Sequence, residues 1–376
     1  MELVTISPSI QYIGVDDKTI DLFESQYIVP HGISYNSYVI LDEKIAVMDT
    51  VDARATGPWL KNLADVLGDR KPDYLVVSHM EPDHASNIQT LAEKYPDMKI
   101  VASAKALSMI PQFFTFDISD RSIVAKEGET LSLGQHTLQF FMAPMVHWPE
   151  VMVSYEQHEK VLFSADGFGK FGALDAEEDW DCEARRYYFN IVGKYGMQVQ
   201  ALLKKAATLD IQTICPLHGP ILKENLGHYI GKYDVWSSYQ PEDEGVFIAY
   251  ASIHGHTAQA AKKLAHILEE KGAKKVVLAD LCRSDLAECV EDAFRYSHLV
   301  LASASYDAGL FPPMEAFLHK LRAKAYQNRV VALVENGSWA PSAGKCMKAI
   351  LEPMKNLRMV EPPVSYTHLT LPTTSR

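Results

Sequence analysis

The sequence predicts a mixed α/β protein of two domains, an αββα sandwich followed by an open, doubly wound parallel sheet. The chain has 376 residues, which is long for a single hydrophobic core. The segment 240–245, Gln-Pro-Glu-Asp-Glu-Gly, is polar and turn-rich and has the composition of a linker. Strands and helices alternate regularly only after this segment, and that alternation is typical of a parallel sheet covered by helices.

Composition and charge exclude several classes of function. The formal net charge of −12 argues against nucleic-acid binding, which usually needs a basic surface. No segment approaches the roughly 20 uninterrupted apolar residues of a membrane helix, and the start lacks the pattern of a secretory signal. The five cysteines are scattered without a Cys-x-x-Cys pair. This pattern predicts a reduced, cytoplasmic protein without a zinc ribbon or a rubredoxin module.

Residues 1–55 alternate short apolar runs with turns, which predicts a meander of strands at 10–14, 37–41 and 45–49. His31 lies in the loop before the second run. The remaining pattern of the first domain predicts helices at 58–68, 86–95, 104–111 and 181–207, and strands at 74–77, 99–102, 138–142 and 161–164.

The strongest motif, Ser78-His79-Met80-Glu81-Pro82-Asp83-His84, directly follows the predicted strand 74–77. Imidazoles and carboxylates crowded on one turn repel groups of their own kind or are left unsatisfied unless something holds them, and a metal ion is the usual answer. Glu81 stands where dizinc hydrolases of the metallo-β-lactamase superfamily have a second histidine. A carboxylate makes the site harder, which favours iron or manganese over zinc. The alternative is a set of solvated loop residues with one helix-capping aspartate.

The same construction occurs four times in the first domain. His147, Asp166 and His218 each follow a short apolar strand, as His79 does. We therefore expect these side chains to converge on one rim of the sandwich and form a metal site. The other histidines lack such a context, and we predict that they lie on the surface: His136, His158, His228, His266, His298 and His319.

The second domain begins with a predicted strand at 246–250, a loop at 252–257 and a helix at 258–271. The loop has hydroxyls at both ends, a central glycine and a helix N-terminus behind it, so it is suited to a single phosphate such as that of FMN. Its spacing is that of neither a triphosphate loop nor a dinucleotide turn. The predicted phosphate contacts are Ser252, His254, Gly255, His256 and Thr257, although the two histidines could equally be exposed loop residues.

Strands are also predicted at 275–279, 298–303 and 329–334. Tyr306 and Trp339 follow the last two, at the sheet edge where open α/β sheets bind their ligands. Two aromatic rings at that edge could sandwich an isoalloxazine ring, or they could simply pack loops. Ser305, Asn336 and Gly337 lie in the same two loops and complete the predicted FMN site.

Taken together, these motifs resemble the flavodiiron proteins, also called A-type flavoproteins. The resemblance is based on 78–84, His147, Asp166-Gly167-Phe168-Gly169, 185–196, 215–220 and 336–341. It implies a metallo-β-lactamase-like diiron domain at 1–240 and a flavodoxin-like FMN domain at 245–363.

The resemblance also implies the roles of individual residues. One iron would be held by His79, Glu81 and His147, the other by Asp83, His84 and His218, with Asp166 between them. Tyr195 would lie near the substrate pocket, and the loop of His31 near the metals.

The activity implied is reduction of O2 to water, of NO to N2O, or of both, with electrons relayed through FMN. Expected partners are rubredoxin or a similar small electron carrier and a second copy of the chain. The assembly would be a head-to-tail homodimer or a dimer of dimers, in the cytoplasm.

Two features depart from the family pattern. The interval between Asp166 and His218 is short, which predicts a trimmed loop near 173–181 and an intact site. Residues 364–376 look like a translated sequencing adapter, so we expect the last strand and helix of the flavin domain to be missing. Two alternatives remain, a dizinc lactamase-like hydrolase fused to a flavodoxin domain, and an FMN electron carrier with a degenerate metal domain. The second would require a missing ligand, and none is missing.

Overall fold

The computed structural model describes residues 5–339 and 341–360 and the backbone of 364–365. The chain divides into two compact units. The first comprises the described residues up to Tyr188 together with Met197–Tyr233, and the second comprises Phe189–Gly196 and the described residues from Asp234 onward. Among the described residues, no helix is both long and apolar enough to cross a membrane.

The first unit is built on two sheets with helices outside them. Its strands are β1 (Ile10–Tyr12), β2 (Val15–Asp17), β3 (Leu22–Phe23), β4 (Tyr27–Ile28), β5 (Ile33–Tyr35), β6 (Tyr38–Ile40), β7 (Ala46–Met48), β8 (Tyr74–Val77), β9 (Lys99–Ser103), β10 (Ser122–Ala125), β11 (Thr130–Ser132), β12 (Thr137–Met142), β13 (Met152–Glu156), β14 (Val161–Phe163) and β15 (Thr213–Cys215). The helices up to residue 237 are α1 (Thr56–Leu67), α2 (Pro82–Ala85), α3 (Ile88–Lys94), α4 (Ala104–Phe113), α5 (Trp180–Tyr187), α6 (Gly196–Ala206) and α7 (Leu226–Ser237).

One sheet has the order β1-β6-β7-β8-β9-β10 and the other β11-β12-β13-β14-β15. Their facing side chains form one apolar core, in which Met48 and Val76 of the first sheet cluster with Phe140 and Phe163 of the second. Strands β7 to β10 run parallel to one another, so their buried residues form continuous apolar runs rather than an alternating pattern. The loops that contain the predicted ligands His79, Asp166 and His218 follow the carboxyl ends of β8, β14 and β15.

Most predicted elements of this unit are present, with two corrections. The helix predicted at 181–207 is two helices, because residues 188–195 form a π-helical turn and a 3-10 turn. At Gly196 a Cβ atom would lie 2.3 Å from the carbonyl oxygen of Ser237, so this close approach requires a glycine. His136, predicted at the surface, is buried, with its Nδ1 3.0 Å from Glu156 Oε1. The other five histidines of that group are exposed as predicted.

The second unit contains β16 (Asp243–Ala251), α8 (His256–Glu270), β17 (Val276–Asp280), α9 (Leu286–Arg295), β18 (Tyr296–Tyr306), β19 (Gly309–Leu310), α10 (Pro312–Ala323), β20 (Val330–Asn336), α11 (Ala343–Leu351), β21 (Arg358–Val360) and β22 (Val364–Ser365). Its main sheet has the parallel order β17-β16-β18-β20-β21. The order reverses between β16 and β18, and open sheets bind their ligands beside such a reversal, at the carboxyl ends of the strands.

Two expectations about this unit need correction. The predicted linker 240–245 is partly strand, since β16 begins at Asp243, whose carboxylate accepts a hydrogen bond from Arg295 Nε at 2.7 Å. A fifth parallel strand, Arg358–Val360, is present where the sequence predicted none after strand four. Three residues are too few to show a periodicity. Strand β22 also pairs with β20, and the rest of the predicted adapter tail, 366–376, lies outside the described residues.

Candidate metal centre and flavin site

The first metal-binding loop is shaped by a strand end and a proline. Asp49 Oδ1 accepts a hydrogen bond from Ser78 N at 2.6 Å, which fixes the end of β8. Glu81 is extended because it precedes Pro82, and Pro82 starts the short helix α2. The helical turn brings Asp83 and His84 to the same side as the extended residues before it.

All seven predicted ligands fall in two groups, whose ligand atoms lie within 4.8 Å of one another in each group. The first group contains His79, Glu81, His147 and Asp166. Glu81 Oε2 lies 3.2 Å from His79 Nε2 and 3.0 Å from His147 Nε2. Asp166 Oδ2 faces the same two nitrogens, at 3.2 and 3.3 Å.

The second group contains Asp83, His84 and His218. The two imidazole Nε2 atoms lie 3.0 Å apart, and Asp83 Oδ2 is 3.3 Å from the first and 3.1 Å from the second. The other oxygen of Asp166, Oδ1, lies 3.5 Å from His84 Nε2 and 3.9 Å from His218 Nε2. Each oxygen of Asp166 therefore faces a different group.

These residues fit a pair of metal ions. His218 Nδ1 lies 2.7 Å from the carbonyl oxygen of Ser34 and must donate to it, so its Nε2 carries a lone pair that faces His84 Nε2. A cation between the two rings satisfies both nitrogens. The carboxylates of Asp83 and Asp166 are buried, and the groups that they face are ring nitrogens of the other candidate ligands. Buried charges of this kind are normally paired or coordinate a metal.

The electrostatics of the site favour charged carboxylates. Burial alone would raise the pKa of Asp166, but the attraction of His79 together with the contacts of His147 and His84 outweighs it and holds that pKa well below its ordinary value. Burial likewise opposes the charged form of His147, yet its contacts with Asp166 and Glu81 raise its pKa to about 9. The carboxylates of Asp166 and Glu81 are therefore held in the anionic form, which is the form that binds cations.

Two predicted catalytic residues are placed outside these groups. His31 Nε2 lies 3.4 Å from Glu178 Oε1, and the His31 side chain is 58% exposed. Tyr195 ends the 3-10 turn Gly193–Tyr195, which groups with the second unit. Their roles stay predictions.

Two residues lie behind the ligands: Trp148, which the sequence predicts near the metals without fixing its position, and Glu150, which the sequence reasoning missed. Glu150 is buried with its Oε1 2.8 Å from His79 Nδ1. Trp148 packs its ring edge-on against His79, with centroids 5.2 Å apart. Both follow His147 within three residues, but nothing in the sequence indicates that they contact a histidine of another loop.

In the second unit, the loop after β16 has the geometry expected for a phosphate. Gly255 has a φ of +88°, which favours glycine, and its N–H donates to Ser252 Oγ at 3.1 Å. The 15-residue helix α8 begins at the next residue. Thr257 is buried, and its Oγ1 accepts a hydrogen bond from Asn336 Nδ2 at 3.2 Å. Asn336 thereby joins the phosphate loop to the loop after β20.

A cleft adjoins these loops. The Tyr306 and Trp339 side chains border it and are 45% and 69% exposed, unusually high for large aromatic residues. Ser305 Oγ accepts hydrogen bonds from the N–H groups of Ser342 and Ala343 at 2.9 and 3.1 Å, which fixes one wall. The lining residues are Ser305, Tyr306, Asp307, Ala308, Gly337, Ser338 and Trp339. His254 and His256 are exposed, and contact with a phosphate stays a prediction for both.

Comparisons with known proteins agree with this arrangement. The family described as ODP family beta lactamase matches residues 33–219. A nitric oxide reductase from Moorella thermoacetica is 28% identical over 96% of this chain and 92% of its own length. The structure of rubredoxin oxygen:oxidoreductase from Desulfovibrio gigas has a TM-score of 0.91 and 28% identity, covering 98% of this chain and 94% of that one. The chain is similar to flavodiiron proteins along nearly its whole length.

The predicted fold class, an αββα sandwich followed by an open, doubly wound parallel sheet, is thereby confirmed. A flavo di-iron protein variant from Thermotoga maritima shares this fold, with a TM-score of 0.88, 24% identity, and coverage of 100% of this chain and 94% of that one. Some curated relatives are longer proteins. The chain spans about half the length, 55%, of diflavin flavoproteins from Synechocystis and Nostoc that are 30% identical to it.

Proposed function

We propose that this protein is a flavodiiron oxidoreductase that reduces O2 to water, NO to N2O, or both, at a non-haem diiron centre, with electrons relayed through FMN. The observation that carries the proposal is the pair of donor groups that share Asp166, with a carboxylate at Glu81. Such an oxygen-rich donor set suits iron better than zinc. Relatives named rubredoxin-oxygen oxidoreductase and nitric oxide reductase support the reaction class.

The ligands divide between two positions. The first metal position is formed by His79, Glu81 and His147, and the second metal position by Asp83, His84 and His218, with Asp166 facing both. A bound iron pair would supply two redox-active metals that bind and reduce a diatomic molecule.

Three buried aromatic rings pack against His218, a ligand of the second metal position, and shield it from water. Phe23, Tyr35 and Tyr187 lie with their centroids 5.3, 6.2 and 5.6 Å from that of His218, and all three are buried. Excluding water strengthens the electrostatic interactions of the carboxylates with a bound cation.

FMN would supply two electrons from the second unit. The N–H groups at the start of α8 would hold its phosphate, assisted by the hydroxyls of Ser252 and Thr257. Tyr306 and Trp339 would hold its ring in the cleft. We further propose rubredoxin or a similar small carrier as the electron donor. A homodimeric assembly and a cytoplasmic location stay predictions.

The test is amperometric. Protein of measured iron, zinc and flavin content is reduced anaerobically and challenged separately with O2 and with NO. Rapid O2 consumption without peroxide identifies an oxygen reductase, and faster NO consumption with N2O formation identifies a nitric oxide reductase. Zinc in the site together with neither activity would refute the proposal and favour the hydrolase alternative.

A further inference from the structure

Three of the four histidines of the metal centre, His79, His84 and His218, differ in what contacts their second ring nitrogen. His79 Nδ1 lies 2.8 Å from a carboxylate oxygen of Glu150. His218 Nδ1 lies 2.7 Å from the carbonyl oxygen of Ser34. His84 Nδ1 is buried and has no hydrogen-bond partner among the described residues. The three rings are thus backed by an anion, by a neutral dipole and by no hydrogen-bonding group.

Glu150 is held rigidly in this place. Its side chain is fully buried, and the oxygen that faces His79 also accepts a hydrogen bond from Met80 N at 2.9 Å. Its own carbonyl oxygen accepts a hydrogen bond from Ser103 Oγ at 2.8 Å. Met152 N donates to the carbonyl oxygen of Ser78 at 3.1 Å and fixes the chain two residues further on. The position of the carboxylate is therefore set by the fold and needs no metal.

This contact fixes which ring nitrogen of His79 carries the proton. An ionised carboxylate only accepts hydrogen bonds, so the proton of a neutral His79 lies on Nδ1. Its Nε2 then carries a lone pair directed between Glu81 Oε2 and Asp166 Oδ2, each 3.2 Å away. A buried anion behind the ring also makes that nitrogen a stronger donor to a metal, as in other carboxylate–histidine–metal arrangements. The Ser34 carbonyl fixes the tautomer of His218 without adding a net charge.

The number of carboxylates also differs between the two metal positions. The first metal position has Glu81 as its own carboxylate and Glu150 directly behind a ligand. The second has Asp83 alone, and Asp166 faces both. Counting the carboxylates among the ligands and those hydrogen-bonded to a ligand, a cation at the first position therefore faces one more than a cation at the second.

We propose that Glu150 is a positioning residue that makes the first metal position retain its metal more tightly than the second. The metals then load and leave in a fixed order, the second position being emptied first. This inference rests on the proposed diiron function and deepens it.

The test follows iron release from the anaerobic, iron-loaded holoprotein after addition of a ferrous chelator. The wild-type protein is expected to release one iron in a fast phase and one in a slow phase. Glu150→Gln keeps the shape of the side chain but removes its charge, and it should accelerate the slow phase about 10- to 100-fold. Glu150→Asp, which restores the charge, should slow it again.

A matched control is available within the same unit. Glu156 is also fully buried, and its Oε1 lies 3.0 Å from Nδ1 of His136, which belongs to neither metal group. Glu156→Gln should leave both release rates unchanged. An equal acceleration by Glu156→Gln would show a general effect of lost buried charge and would overturn the inference. Release of both wild-type irons at one rate would overturn it too, as would an unchanged slow phase in Glu150→Gln.

A second measurement covers the case in which Glu150→Gln does not fold, as judged by circular dichroism. Wild-type apoprotein given one equivalent of ferrous 57Fe should show one predominant Mössbauer site, whereas two sites in similar amounts would contradict the inference. A wild-type protein that binds no iron at all would instead refute the proposed function. The two failures are therefore distinguishable.

Discussion

Replacing Asp166 by asparagine should weaken both metal positions at once. Its two oxygens lie 3.2 and 3.3 Å from the histidine nitrogens of the first position and 3.5 and 3.9 Å from those of the second. Asparagine keeps the volume and removes the charge. Altering groups that only support a ligand already costs about 10- to 100-fold in metal affinity. We therefore expect a loss of at least about 100-fold, or about 2.7 kcal/mol, at each position.

The measurement is a titration of the iron-loaded protein with a competing chelator, with bound iron determined by elemental analysis. Under conditions in which the wild-type protein keeps both irons, His147→Ala and His218→Ala should each keep about one, and Asp166→Asn neither. Asp17→Asn is the control, since Asp17 is a buried aspartate that pairs with Arg54 outside the metal groups, and it should keep two. Retention of one full iron by Asp166→Asn would refute the reasoning that this side chain serves both positions.

Three further predictions follow from other parts of the molecule. Glu81→His replaces the hard carboxylate donor of the first position by an imidazole. Protein produced with both zinc and iron supplied should then bind more zinc relative to iron than the wild-type protein does. An unchanged zinc-to-iron ratio in elemental analysis would contradict this. Trp339→Ala should weaken FMN binding by about 0.5–1.5 kcal/mol, measured by flavin fluorescence quenching, whereas Phe113→Ala, an exposed aromatic residue of the first unit, should not. Phe140→Ala removes a ring buried between the two sheets and should lower the free energy of unfolding, measured in urea, by about 3–5 kcal/mol. The control is Val124→Ala, at an exposed position, which should change that free energy little.

The sequence predicted the residues of the metal groups because each one follows a strand that is recognisable locally. A short apolar run predicts a buried strand, and several strands of one sandwich end at the same rim. His79, His147, Asp166 and His218 could therefore be assigned to one place without knowledge of the loops between them. The conformation of the loop 252–257 was predictable for the same reason, since its glycine and hydroxyls lie between one strand and the next helix; its contact with a phosphate stays a prediction.

Features that depend on contacts between distant segments could not be predicted. The partner of His136 is Glu156, on a neighbouring strand, and no spacing rule connects the two. The close approach of Gly196, at the start of α6, to the carbonyl oxygen of Ser237 also joins residues that are distant in the sequence. The fifth strand of the second unit contains three residues and is recognisable only by its pairing with β20.

The same distinction separates two properties of the metal centre. The type of metal follows from the ligands themselves, because Glu81 in place of an imidazole is visible in the sequence. The difference between the two metal positions follows instead from the groups behind the ligands, Glu150 at His79 and a backbone carbonyl at His218. Those groups are positioned by the meeting of separate loops. Two flavodiiron chains with identical ligand sets can therefore differ in the order in which their metals bind, if the residue behind one histidine differs in charge.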